Sequence, residues 1–258
     1  MLELIAKTGL LFSQPLILAS IVLVGFLNRN EALFGRTLFI LLFTMVYNVY
    51  LKSIWQIPLP APLEGWAFPS GHMHSTMAFW GALALEYKRF WFRILVLMIL
   101  AMSGFALVYS GYHYPIDILG AVAFGSLTLL VYRFLLQQSF CKELPYRLGF
   151  LLIPLATLCI LLTPPEARKL HLWQAYGAMI GFTIGWGLLS TQQLTKRFTF
   201  NAIQRLKVLS MALAGALCAF YFIQALPLSK QMIIFSQFFI IAIWVNTSKI
   251  IMYQVGRK

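Results

Sequence analysis

The chain carries four histidines and one aspartate, and three of those histidines fall with the aspartate in two short stretches. In Tyr112-His113-Tyr114-Pro115-Ile116-Asp117, Pro115 fits the first position of a helix, where a missing N–H costs nothing, and it keeps Tyr114 extended. Asp117 then sits in the first helical turn, close enough to turn back toward the His113 ring. A carboxylate on one imidazole nitrogen fixes the tautomer, aims the other nitrogen at a substrate and stabilises positive charge on the ring. That arrangement suits His113 as a nucleophile or a general base. In Pro69-Ser70-Gly71-His72, Ser70 is a good N-cap and Gly71 lets the backbone come close to a ligand. The free amides of such a helix start form a cradle for phosphate. His72, in the first turn, is placed to protonate a leaving oxygen, and Lys52 supplies a point charge for phosphate in the same space. Nucleophile, acid, orienter, oxyanion cradle and cation are mutually consistent parts.

Other polar residues read more plainly. His74 lies on a different helix face from His72 and is expected to be a polar lining residue. His171, beside Arg168 and Lys169, is expected in solvent, as is Glu64. The cysteines Cys141, Cys159 and Cys218 form no metal-ligand spacing, and one aspartate with dispersed glutamates makes no cation cage. No metal and no cofactor is expected.

The elements that must hold these stretches follow from composition. Hydrophobic residues make up 60% of the 258 residues and charged residues 10%, against about a quarter charged in soluble domains. The apolar residues come in long runs broken by short basic clusters, which is the pattern of repeated membrane spans of about 20 residues each. The runs are Thr8–Leu27, Thr37–Leu51, His72–Tyr87, Ile94–Ser110, Pro115–Leu136, Leu148–Thr163, Gln174–Ser190, Val208–Leu226 and Gln231–Val245. The fold expected is all-α, a polytopic transmembrane helix bundle of about nine spans. The N-terminus lacks a basic leader and a small-residue cleavage site, so the first run is read as a retained span. A boundary near Gln137 to Arg147 divides a membrane-embedded core, residues 1–137, from additional transmembrane helices, residues 148–258. Gly181 and Gly185 have the small-xxx-small spacing of close helix packing, within the bundle or between copies in a homo-oligomer.

The formal charge of +13 is distributed as topology rather than as one basic stripe, which argues against nucleic acid. With nine crossings, fifteen of the 20 Lys and Arg share a face with the C-terminus. These are Arg29, Arg36, Lys88, Arg89, Arg93, Arg133, Lys142, Arg147, Lys196, Arg197, Arg205, Lys207, Lys249, Arg257 and Lys258. Lys7, Lys52, Arg168, Lys169 and Lys230 occupy the other face, together with both reactive stretches. The positive-inside rule places the C-terminus in the cytoplasm, and the N-terminus and reactive stretches outside a plasma or inner membrane.

Phe68-Pro69-Ser70-Gly71-His72 together with Val108-Tyr109-Ser110-Gly111-Tyr112-His113-Tyr114-Pro115-Ile116-Asp117-Ile118-Leu119-Gly120 resembles the type 2 phosphatidic acid phosphatase superfamily, which also includes vanadium haloperoxidases. The family pattern is Lys-x6-Arg-Pro, then Pro-Ser-Gly-His, then Ser-Arg-x5-His-x3-Asp. Lys52 and Pro60 match the first motif, Ser70, Gly71 and His72 the second, and His113 and Asp117 the third. The resemblance implies a phosphatase-like core in the first five spans, attack on phosphorus by His113 oriented by Asp117, and protonation of the leaving group by His72. Lys52, Ser70 and Gly71 would bind phosphate. Leu59 and Leu107 stand where the family has its two phosphate-clamping arginines. Since a hydrogen bond to a charged group contributes about 1.5–3 kcal/mol, a phosphomonoester dianion feels that exchange more than a phosphodiester.

The resemblance therefore implies an enzyme of membrane lipids: a lipid phosphatase or phosphotransferase acting at the extracytoplasmic leaflet through a His113 phosphoenzyme. Ser70-Gly71-His72 and His113-Tyr114-Pro115-Ile116-Asp117 also look like sphingomyelin synthase and related head-group transferases, which pass a phospho-head-group to a lipid hydroxyl. A third alternative is a catalytically inactive relative that binds lipid.

Overall fold

In a computed structural model, residues 1–28, 30–191 and 201–255 are described. Of the cations assigned to a face above, Arg29, Lys196, Arg197, Arg257 and Lys258 lie outside the described residues. Among the described residues eleven α-helices follow one another: α1 (Leu2–Leu11), α2 (Pro15–Asn28), α3 (Glu31–Trp55), α4 (Gly71–Tyr87), α5 (Phe90–Tyr109), α6 (Pro115–Gln137), α7 (Ser139–Glu143), α8 (Leu148–Leu162), α9 (Leu170–Thr191), α10 (Ala202–Gln224) and α11 (Lys230–Val255). Among the described residues the only extended pairing is an isolated bridge between Pro58 and Trp66. The chain is an all-α polytopic bundle, as composition requires.

Among the described residues six stretches are each long and apolar enough to cross a membrane: Glu31–Trp55, Phe90–Tyr109, Pro115–Gln137, Pro145–Leu162, Ile203–Gln224 and Lys230–Ile251. The other three expected spans are helical but differ in kind. α4 has 17 residues, and α9 is long but diluted by His171, Gln174, Tyr176 and glycines. The first, expected as one run over Thr8–Leu27, is broken at Phe12, Ser13 and Gln14. Pro15 has no N–H to give, and its ring collides with the carbonyl one turn back, so α1 ends and α2 starts anew with Pro15 in its first turn. α1 and the break after it are held laterally. The Ser103 hydroxyl donates to the Gly9 carbonyl at 3.0 Å, and the Trp80 indole donates to the Phe12 carbonyl at 3.2 Å.

Helix starts are set by local chemistry. Asn30 caps α3, its side-chain oxygen accepting from Leu33 N–H at 3.0 Å with Glu31 in the first turn. α3 is the central post. Phe39, Val46 and Val49 on it share a core with Leu148 and Leu152 of α8 and with Met179 and Phe182 of α9. Leu41 on another face joins Phe79 and Leu83 of α4 and Val96 and Ile99 of α5. The expected division near Gln137 to Arg147 thus falls between helices that both lean on α3. α9 and α11 approach closely because a side chain at Gly181 would collide with the Phe239 carbonyl. The glycine spacing seen in the sequence is used within the chain.

The short connections make the bundle run up and down, which leaves it with two distinct ends. One holds the loop 56–70 and the turn 110–114. The other holds Arg36, Glu86, Lys88, Arg133 and Lys142. At this second end Arg36 pairs with Glu86, whose other oxygen accepts from the Tyr132 hydroxyl. Lys249, expected only as a rim cation, is instead buried, paired with Glu31 and set over the Phe26 ring. An amphipathic side chain taken into an apolar interior needs such partners.

Candidate active site

The two reactive stretches meet through the backbone. α5 ends at Tyr109, and Gly111 adopts φ 71°, a left-handed conformation in which glycine carries no steric penalty. The chain then doubles back, with Tyr112 and His113 N–H both directed at the Leu107 carbonyl, at 3.0 and 3.3 Å. Pro115 opens α6, and the Asp117 carboxylate reaches back to the Tyr114 N–H at 2.9 Å. The same oxygen meets His113 Nδ1 at 3.2 Å. The Asp117 carbonyl accepts from the Ser70 N–H at 3.1 Å, which ties the start of α6 to the start of α4. Packing holds the two starts together, since any side chain at Gly120 would run into the Phe68 ring.

His113 is 7% exposed and Asp117 fully buried. With Nδ1 occupied, His113 Nε2 bonds no group among the described residues. Burial pushes the His113 pKa below the ordinary imidazole value; the Lys52 ammonium pushes the same way, Asp117 opposes them, and His72 adds a smaller push down. The ring is therefore held neutral with a free lone pair at neutral pH, while Asp117 stands ready to stabilise the cation that forms when Nε2 makes a bond. The second Asp117 oxygen is buried with no partner among the described residues, so His113 and one amide carry the whole load of orienting it.

A cleft of about 330 Å³ opens over this pair. Its walls are His72, His113, Tyr112, Leu59, Leu63 and Leu107, with Leu10, Ser13 and Gln14 closing one side. The break between α1 and α2 thus borders the cleft and brings the polar pair Ser13-Gln14 to it. Leu59 and Leu107, the leucines at the two positions noted in the sequence, both line it, and neither side offers a cation. His72 is accessible, on the first turn of α4.

The remaining predicted residues lie behind the cleft wall. Ser70 is fully buried, and its hydroxyl accepts from the Met73 N–H at 3.4 Å as the cap of α4. Lys52 donates to the Trp66 carbonyl and lies under Gly71, where an added Cβ would come within 4.0 Å of Lys52 Cε. Asn48, one turn earlier on α3, escaped sequence reading. Its amide donates to the Pro69 carbonyl at 3.2 Å and faces His74 Nδ1 at 3.3 Å, and its oxygen would be 3.0 Å from a Cβ at Gly71. An amide inside an apolar run, four residues before Lys52, was the available signal. His74 is buried against Asn48 and the Tyr47 ring rather than lining the cleft. Glu64 is exposed, as expected. His171 is exposed too, yet near enough to His72 and Lys52 to feel their charge. Among the described residues no group of three or more metal-ligating side chains converges.

A buried carboxylate–imidazole pair under a cleft shared with a second imidazole can form and break a bond to an electrophile without a metal ligand set. Residues 47–140, which contain Asn48, Lys52, Ser70, Gly71, His72, His113 and Asp117, match the family model of the PAP2 superfamily. No curated protein and no solved structure matches the chain.

Proposed function

Taking as premise that the chain belongs, through residues 47–140, to the PAP2 superfamily, we propose that the cleft transfers a phosphoryl group from a lipid phosphate through a covalent intermediate on His113. The observation that carries this reading is the His113–Asp117 bond, which leaves Nε2 free at the floor of a cleft that His72 also walls. Nε2 attacks phosphorus; the N–P bond forms as the bond to the leaving oxygen breaks, and His72 gives that oxygen its proton. Water, deprotonated by His72, then attacks phosphorus and releases His113 and phosphate. From behind the cleft wall the α4 N-terminus and the Lys52 charge act on the phosphate oxygens through their field rather than by direct contact. Six helices able to cross a membrane, and a cleft walled by leucines, favour a lipid over a soluble ester. Placing the cation-poor end outside follows from the positive-inside rule.

A second reading is favoured by one specific observation: Leu59 and Leu107 line the cleft where an anion clamp would stand. A phosphodiester carries one negative charge and needs less compensation, and a lipid hydroxyl in place of water makes the reaction a head-group transfer. Lipid-product mass spectrometry on the purified chain, with lipid monoesters and diesters beside a His113→Ala control, separates the readings. Dephosphorylated lipid and inorganic phosphate that vanish in the control support hydrolysis, and exchanged head groups support transfer. Absence of any His113-dependent product would sink both and leave a lipid-binding protein.

A further inference from the structure

A second cavity lies at the opposite end of the same helices. It measures about 510 Å³ and is walled by Arg36 of α3, Glu86 of α4, Lys88 of the α4–α5 turn, Arg93 of α5, Arg133 of α6 and Lys142 of α7. Arg36 and Lys52 are sixteen residues apart on α3, so the two cavities are separated by about 24 Å of helix. Five cations thus face one carboxylate, and that carboxylate is already used: Glu86 holds Arg36 with one oxygen and accepts from the Tyr132 hydroxyl with the other. Among the described residues Lys88, Arg93, Arg133 and Lys142 make no ion pair. Arg36 Nε is buried without a hydrogen-bond partner, so this guanidinium is held by Glu86 with bonding capacity to spare.

Cations that only report topology are spread along a rim and point away from one another. These converge from five elements on one concavity, around an arginine locked by a part-buried acid, against their mutual repulsion. Such an arrangement is stabilised by a multiply charged anion. The volume exceeds that of a bare phosphate and lies in the range of organic ligand sites. Between and beside the cations stand exposed aromatic residues, Phe90 and Trp91 between Lys88 and Arg93, and Phe134 next to Arg133. Aromatic and basic side chains mixed in this way mark the level of lipid head groups. We propose that this basic cavity is a second ligand site, separate from the catalytic cleft, which binds a ligand bearing a phosphate dianion, either the head group of an anionic lipid or a soluble phosphomonoester. Its occupancy does not depend on the reading of the cleft.

The test is lysine-resolved acetylation of the full-length protein in phosphatidylcholine nanodiscs, read by peptide mass spectrometry. The probes are dioctanoyl phosphatidic acid, dioctanoyl phosphatidylcholine and glycerol 3-phosphate, and a His113→Ala background prevents turnover. Expected is saturable protection of Lys88 and Lys142 by the phosphomonoester lipid and none by phosphatidylcholine. Arg133→Gln and Arg93→Gln, both at exposed side chains with no ion pair among the described residues, should each raise the half-protecting concentration at least about tenfold, the size of a lost charge-assisted hydrogen bond. Protection by glycerol 3-phosphate as well would assign the soluble source, and protection by the lipid alone the membrane source. Equal protection by phosphatidylcholine, no protection, or protection unchanged in both variants would overturn the proposal. A failed catalytic assay would leave it standing.

Discussion

The two ends of α3, α4, α5 and α6 handle charge in opposite ways. At the cleft, one imidazole and one carboxylate are buried and bonded to each other, and the nearby cation, Lys52, is engaged by a carbonyl behind the wall. At the other end, five cations surround one carboxylate, and most stay unpaired and exposed. The first arrangement acts through direction: a 3.2 Å bond to Nδ1 decides where Nε2 points. The second acts through summed field, which is long-ranged and weakened by salt. Chemistry at a single atom needs the former, and holding an anion against water needs the latter.

The largest expected effect is at the cleft. His113→Ala should lower phosphoryl transfer by at least about 10³-fold, roughly 4 kcal/mol of transition-state stabilisation, with the melting temperature in detergent little changed. A variant that kept turnover would break the distinction between the ends at once. Glu86→Ala should do the reverse. It strands the Arg36 guanidinium and the Tyr132 hydroxyl, and leaving the donors of a part-buried network unsatisfied costs about 1–3 kcal/mol. Thermal melting should fall while turnover per folded molecule holds, because Glu86 lies at the far end from the cleft. Equal losses in both measurements would show that the ends are coupled.

A smaller effect sharpens the chemistry. Leu59→Arg brings a guanidinium to the cleft wall, and a charged hydrogen bond of about 1.5–3 kcal/mol should raise kcat/KM for a monoester over a diester by roughly 10- to 100-fold. An unchanged ratio would mean that the leucine does not face the bound phosphate. The smallest effect is on pH. Protonation removes the His113 lone pair, so activity falls as pH drops, and a depressed pKa carries that acid limb below the ordinary imidazole value. Lys52→Gln removes one of the causes that depress it, so the limb should move to higher pH. A limb that stays put or moves down in a kcat/KM profile would contradict the electrostatic account.

Side-chain type and spacing alone are enough to read the all-α membrane bundle, the bond between Asp117 and His113 and the Ser70 cap. Each depends on interactions within a few residues: apolar run length, a carboxylate three residues past an N-cap, a hydroxyl at a helix start. Pro15 inside the apolar run Thr8–Leu27 also carries a local signal for the break at Phe12 to Gln14. Other features were decided only when helices far apart in sequence were packed together. Asn48 became a floor for the Ser70-Gly71 turn because α3 lies behind α4. His74 turned inward against it. Gly181 was used by α11 rather than by a second chain. Arg36, Glu86 and Tyr132, up to 96 positions apart by number, formed one network at the far end. Hydrogen bonds within a turn are specified by neighbours along the chain, whereas burial of a polar group is specified by whichever helix arrives to satisfy it.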